Sequence, residues 1–228
     1  MNIIVTGASR GIGRELALQL ANNGHTVLAI SRNSERLHEL SEINNKVIAI
    51  PFDLVSGNFE KLAVEIKRNV SVVDGLVNNA GLLINKPFLD IANADIQNVF
   101  AANVFGPFKL IQCVIPLMKG SSLAHIVNVS SMGGFQGASK FAGLSAYSSS
   151  KAAIACLTEC LAEELGEVGV KVNALALGAV QTEMLNEAFP GYQAPLSAKE
   201  MAEFMLDFIL HKHKYYNGKI LPVSVSAP

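Results

Sequence analysis

The feature that most constrains this chain is a regular alternation of short apolar runs with helix-length stretches. Apolar runs occupy residues 3–5, 27–30, 47–50, 75–77, 126–129, 170–177 and 220–223, and helix-length segments fill 11–22, 34–43, 58–69, 93–118, 147–167 and 198–211. Runs this short and this apolar suit strands buried on both faces. Strands alternating with helices build a parallel sheet with right-handed crossovers. Seven of them predict an α/β fold of the doubly wound, Rossmann type: a mostly parallel seven-stranded sheet with helices on both faces, in three layers. Half of the 228 residues are hydrophobic and 16% are charged, which suits one core in a single domain over 1–228. No repeat, low-complexity tract or linker divides it.

Composition removes several function classes. A net charge of −1 lacks the basic excess of a nucleic-acid footprint. No apolar run is expected to reach the roughly 18 residues of a membrane span, and MNIIVTGAS enters a strand pattern directly, unlike a signal peptide. The three cysteines, Cys113, Cys156 and Cys160, make no disulfide framework. Cys156 and Cys160 share a helix face and are expected to be small, buried residues of a helix interface. A cytoplasmic protein is predicted, with no nucleic-acid or membrane partner. His211 and His213 lie at the end of the last helix without carboxylate or cysteine partners at ligand spacing, so no metal site is expected. Asn93 and Asn33 are candidate helix caps, each with an acid in the following turn.

The first strand runs into Thr6-Gly7-Ala8-Ser9-Arg10-Gly11-Ile12-Gly13, and a helix follows at once. Glycines at 7, 11 and 13 leave backbone N–H groups free to approach a phosphate. Between a first strand and a first helix, this turn reads as a dinucleotide site. The end of the second strand, Ala29-Ile30-Ser31-Arg32-Asn33, has no acid to bond ribose hydroxyls. Arg32, with Arg10 in the turn, offers cations for an extra phosphate, which favours NADP(H) over NAD(H).

Several stretches resemble the short-chain dehydrogenase/reductase family. The glycine turn matches its cofactor motif. Asn78-Asn79-Ala80-Gly81 matches its N-N-A-G motif, and Asp53-Leu54 resembles its adenine-contacting pair. Asn103, Ser131 at the end of Asn128-Val129-Ser130-Ser131, and Tyr147 with Lys151 in Tyr147-Ser148-Ser149-Ser150-Lys151 stand where the family keeps its catalytic set. The resemblance implies cofactor contacts from Gly7, Ser9, Arg10, Gly11, Ile12, Gly13, Arg32, Asp53, Leu54, Asn79, Ala80, Gly81, Tyr147, Lys151, Gly178, Val180 and Thr182. It also implies a small-molecule carbonyl or alcohol substrate and a homodimer or homotetramer. Two departures stand out. Leu177-Gly178 replaces the usual Pro-Gly, predicting a softer turn, and residues 132–146 make a longer loop than usual beside the substrate.

Reducing a carbonyl needs a hydride on carbon and a proton on oxygen. The resemblance makes Tyr147 the acid/base, with Ser131 orienting the substrate oxygen and Asn103 holding a water that links Lys151 to solvent. Lys151, four residues after Tyr147 on one helix face, is expected to lower the phenol's pKa from near ~10. Ser130 competes with Ser131, because adjacent strand residues point to opposite faces. Residues 183–197, rich in apolar side chains and poor in fixed charge, are expected to form a short lid over a small or apolar substrate. The alternative is a catalytically silent NADP(H)-binding sensor, which has no need of Ser131, Tyr147 and Lys151 together.

Overall fold

A computed structural model describes residues 1–225; the last part of the expected single domain and of its tail, 226–228, lies outside the described residues. The strands in chain order are β1 (Asn2–Thr6), β2 (Thr26–Ser31), β3 (Val47–Pro51), β4 (Gly75–Asn78), β5 (His125–Ser131), β6 (Lys171–Leu177), β7 (Val180–Gln181), β8 (Leu196–Ser197) and β9 (Ile220–Val223). The helices are α1 (Gly11–Asn22), α2 (Ser34–Ile43), α3 (Phe59–Asn69), α4 (Asn93–Phe100), α5 (Gly106–Met118), α6 (Ser145–Glu164), α7 (Glu183–Ala188) and α8 (Ala198–His211). Seven strands form one sheet in the order β3-β2-β1-β4-β5-β6-β9, all parallel.

Strand residues alternate between the two faces, and both faces are apolar. Ile3 and Val5 pack with Leu16 and Leu20 of α1 and Met205 and Phe208 of α8. Ile4, between them, packs on the other face with Leu62 and Ile66 of α3 and Leu110 and Val114 of α5. This is the expected three-layer doubly wound architecture, and α6 closes the second face through Ala162.

Four local expectations change. The segment 93–118 is continuous but contains a π-helical turn, Ala101–Phe105, between α4 and α5. The whole stretch Asn93–Met118 is long and apolar enough, by length and composition, to cross a membrane. That overturns the expectation that nothing reaches spanning length, although its α5 part packs Leu110, Ile111 and Val114 into the core. Ala92, not Asn93, precedes α4; the Asp95 carboxylate reaches back to accept the Ala92 N–H at 3.0 Å. Cys156 and Cys160 are exposed on α6, not buried, because the sheet covers only the opposite side of that helix. Asn33 does cap α2, accepting the Arg36 N–H at 2.9 Å.

At the opposite end of the sheet from the glycine turn, His125 is fully buried. Its Nδ1 lies 3.0 Å from the Ile209 carbonyl, which only accepts, so Nδ1 carries the proton and Nε2 accepts from Asn173 Nδ2 at 3.0 Å. Asn173 Nδ2 also donates to the Tyr216 carbonyl at 3.1 Å, so the pair ties β5 and β6 to the segment after α8. Burial holds the imidazole down at about 4, against 6.5 for a free ring. The unfolded chain therefore takes up this proton first as pH falls. Stability present above pH 6.5 is lost between about 6.5 and 4, and burial of His25 and His213 acts in the same direction. Denaturant unfolding should lose on the order of 2–3 kcal/mol between pH 7 and 4.5. His125→Gln should lower stability at pH 7 and flatten that slope; an unchanged slope would contradict the assignment.

Candidate active site

The chain runs outward from β1 to β3, then returns to β4 on the other side of β1. Doubly wound sheets bind ligands at the carboxyl end of this switch point. Thr6, fully buried at the end of β1, ties it shut. Its Oγ1 accepts the N–H groups of Asn79 and Ala80, both at 3.0 Å, and the Asn79 side chain returns a bond to the Thr6 carbonyl at 3.0 Å. The two strand ends are so close that a Cβ on Gly7 would meet Ala80 Cα at 2.9 Å. A Cβ on Gly13 would lie 2.4 Å from the Gly7 carbonyl oxygen, so α1 leans directly on the turn. Gly7 and Gly11 have φ of 69° and 56°, the left-handed region that favours glycine. No side chain caps the start of α1, so its first N–H groups face a cleft of about 1080 Å³. Uncapped amides, a dipole end and glycines that keep side chains away fit a pyrophosphate.

At the edge of this cleft the Ser31 hydroxyl donates to Ser9 Oγ at 2.8 Å, joining the end of β2 to the glycine turn. An arginine follows each serine. Arg32 is exposed and lines the cleft, with Ile12, Asp53 and Leu54. Arg10 also lines it, but its Nη1 and Nη2 donate to the two carboxylate oxygens of Glu187. Both Asp53 oxygens serve a local turn, accepting from the Val55 N–H at 3.0 Å and the Ser56 hydroxyl at 2.8 Å. Leu54 is buried against Gly106.

At the other end of the cleft, the π turn carries Asn103 inward, where it is 2% exposed. Its Oδ1 accepts the Leu82 N–H at 2.7 Å, and its Nδ2 donates to the Leu82 carbonyl at 2.9 Å and to Ser150 Oγ at 2.8 Å. Both Nδ2 protons are thus spent, leaving one Oδ1 lone pair for a water. Lys151, 4% exposed, donates to the Val129 carbonyl at 2.7 Å and lies 5.8 Å from the Tyr147 ring centre. A Cβ on Gly81 would sit 3.3 Å from Asn103 Oδ1 and 3.5 Å from Lys151 Nζ, so this glycine makes room for both.

Burial lowers Lys151 to about 8 and raises the Tyr147 phenol to about 12. On balance the phenol lies above its free value and not below it as expected. Burial outweighs the opposing influence, a hydrogen bond from Ser131, while the lysine ammonium is bonded to the Val129 carbonyl. Ser131 stands beside Tyr147, whereas the Ser130 hydroxyl is buried and donates to the Lys151 carbonyl at 2.7 Å. Of the two serines, Ser131 is the one that meets the phenol.

A family model described as short chain dehydrogenase matches residues 1–193. The chain belongs to the short-chain dehydrogenase family. The NADPH-dependent pterin aldehyde reductase of Arabidopsis thaliana is 37% identical over 202 residues, 85% of this chain and 82% of that protein. A 3-oxoacyl-[acyl-carrier-protein] reductase of Aquifex aeolicus is 34% identical over 237 residues, covering 97% of this chain and 94% of that protein. Among solved structures, a short chain dehydrogenase from Shigella flexneri complexed with NADP superposes with a TM-score of 0.89 at 32% identity, covering 97% of this chain and 95% of that one.

In this chain the turn after β6 is braced without proline. Gly178 N–H donates to the Val223 carbonyl at 2.8 Å, and a Cβ on Gly178 would sit 2.5 Å from Ser224 Oγ. Val180 is buried in β7, and Thr182 caps α7 by accepting the Leu185 N–H at 3.2 Å. The parallel pair β7–β8 pins both ends of segment 183–197. Asn85 Nδ2 holds its middle, donating to the Ala188 carbonyl at 3.0 Å. Sequence reading missed Thr6, Ser150, Asn85 and Glu187. Only Thr6 and Ser150 carried a signal, lying inside motifs already singled out. Among the described residues no group of three metal-ligating side chains converges. Asn103→Ala strips partners from Leu82 and Ser150 in a buried place, so it should destabilise the fold by roughly 2–4 kcal/mol. Denaturant unfolding checks this, and a loss under about 0.5 kcal/mol would contradict the network.

Proposed function

We propose that this chain is an NADP(H)-dependent oxidoreductase that interconverts an uncharged carbonyl and its alcohol in the cytoplasm. The observation that carries the reading is the convergence of Ser131, Tyr147 and the buried Lys151 on one side of a cleft whose other side is a glycine-rich phosphate cradle. The sensor alternative leaves that convergence unused. The glycine turn and the start of α1 would hold the pyrophosphate, Arg32 and Arg10 the adenosine phosphate, and Lys151 the nicotinamide ribose. When bound, NADPH supplies a hydride.

The residues do the rest. Ser131 orients the substrate oxygen. A phenol near 12 is neutral at physiological pH, so Tyr147 stands ready to give its proton to the oxygen of a carbonyl being reduced. Lys151, charged below about 8, favours the phenolate left behind. Asn103 and Ser150 position Lys151 and Tyr147 through α6. Leu83, Met132, Phe141, Leu144, Met184 and Phe189 line the cleft with Tyr147, and among the described residues its cationic lining is Arg10, Arg32 and Lys151. An apolar carbonyl substrate fits this wall, with 183–197 as its lid and the whole chain acting as one domain.

We also propose assembly as a homodimer or homotetramer through the helical stretch Asn93–Met118 and α6. Phe105 of the π turn and Phe108 of α5 are exposed there, as are Cys156 and Cys160, and such a patch meets its own copy across a two-fold axis. Light scattering at micromolar concentration should give a multiple of 24.3 kDa; the monomer mass alone would contradict this.

Tyr147→Phe should cut turnover of NADPH with aromatic aldehydes about 10²–10⁴-fold, the usual worth of a general acid, while NADPH binding stays within a few-fold. For the native enzyme, kcat/KM for reduction should fall as pH rises through about 8, as Lys151 loses its proton. Undiminished turnover in the variant would overturn the assignment, and a native protein inactive on every carbonyl offered would favour the sensor.

A further inference from the structure

Arg10 is already committed. It stands beside Ser9, at the corner where the glycine turn touches the end of β2, and in the reading above it serves the adenosine phosphate of NADP(H). Yet both of its terminal nitrogens donate to Glu187 of α7. No hydrogen bond or ion pair occupies Arg32, one residue beyond Ser31, among the described residues. Glu187 is the more exposed partner, its side chain 62% accessible against 38% for Arg10. A second carboxylate, Glu183, lies at the base of the same helix, with Oε2 3.6 Å from where a Cβ on Gly11 would stand. The lid thus brings two negative charges over the turn that must receive a polyanion.

We propose that Glu187 is a specificity-determining residue: its carboxylate competes with the adenosine 2′-phosphate for Arg10, so that NADP(H), and not NAD(H), releases one anchor of the lid. The inference rests on the NADP(H) reading above. The end-on fork of a guanidinium makes two parallel bonds to one carboxylate or phosphate, so the phosphate gains that fork only when Glu187 leaves it. The lid does not detach when this happens. Its ends remain pinned by β7–β8, and Asn85 still donates to the Ala188 carbonyl. What changes is the outer face of α7. NAD(H), with a hydroxyl in place of the phosphate, has no charge to offer Arg10 and leaves the pair intact.

The test is a binding experiment and needs no turnover. Dissociation constants for NADPH and NADH are measured by the cofactors' own fluorescence, which no tryptophan obscures. Glu187→Gln should tighten NADPH by about two- to fivefold, the worth of one exposed ion pair, and leave NADH unchanged. In an Arg10→Gln background the same substitution should have no effect on NADPH. Hydrogen exchange over residues 183–189 of the native chain should quicken with saturating NADPH relative to NADH. An unchanged or weakened NADPH affinity in Glu187→Gln, or an equal gain for both cofactors, would overturn the proposal while native preference for NADPH stands. A native protein that binds NADH as tightly as NADPH would instead bring down the cofactor reading and this inference with it.

Discussion

Everything in this site hangs on how closely the ends of β1 and β4 approach each other. Thr6 makes that approach possible. One buried hydroxyl accepts two backbone N–H groups from the neighbouring strand's exit, and the Asn79 amide answers with a bond to the Thr6 carbonyl. Unpaired, each of these buried polar groups would cost about 1–3 kcal/mol. Paired, they fix the crevice at the switch point between β1 and β4, where the strand order reverses. The glycine requirement follows from the same contact, because Ala80 and the start of α1 leave no room for side chains at Gly7 and Gly13.

The second constraint is the burial of Lys151. A cation removed from water needs hydrogen-bonding partners, and the end of β5 provides the Val129 carbonyl. Its helix is held by Ser130 through the Lys151 carbonyl and by Asn103 through Ser150. The π turn between α4 and α5 lies where Asn103 is needed, in keeping with the tendency of π turns to fall at functional sites. The same burial that brings the lysine down keeps the tyrosine protonated. In the proposed reading this readies the enzyme for reduction: the proton is in place before the substrate arrives.

Much of this was legible in the sequence because the physics was local. Strands buried on both faces leave uninterrupted apolar runs, and the glycines stand where backbone must meet backbone. Ser131 could be preferred over Ser130 only through the resemblance, since strand alternation says that one faces the cleft without saying which. Long-range partners were not legible. Arg10 and Glu187 are 177 positions apart, and nothing near either residue announces the other. The i,i+4 spacing brought Lys151 and Tyr147 together but could not reveal how deeply both are buried, so the direction of the phenol's shift was misjudged. The β7–β8 pair has two residues per strand, too short to leave a period. The exposed face of α6 depends on what covers it, which periodicity alone does not specify.

The central claim is that one crevice binds NADPH and passes its hydride to a carbonyl carbon while Tyr147 supplies the proton. Transfer of isotope tests this most directly. Single-turnover reaction of the enzyme with an aromatic aldehyde and NADPH deuterated at the transferring position of the nicotinamide should place one deuterium on the carbinol carbon of the alcohol, read by mass spectrometry. Alcohol formed without that deuterium, or with the label appearing in water, would contradict the account.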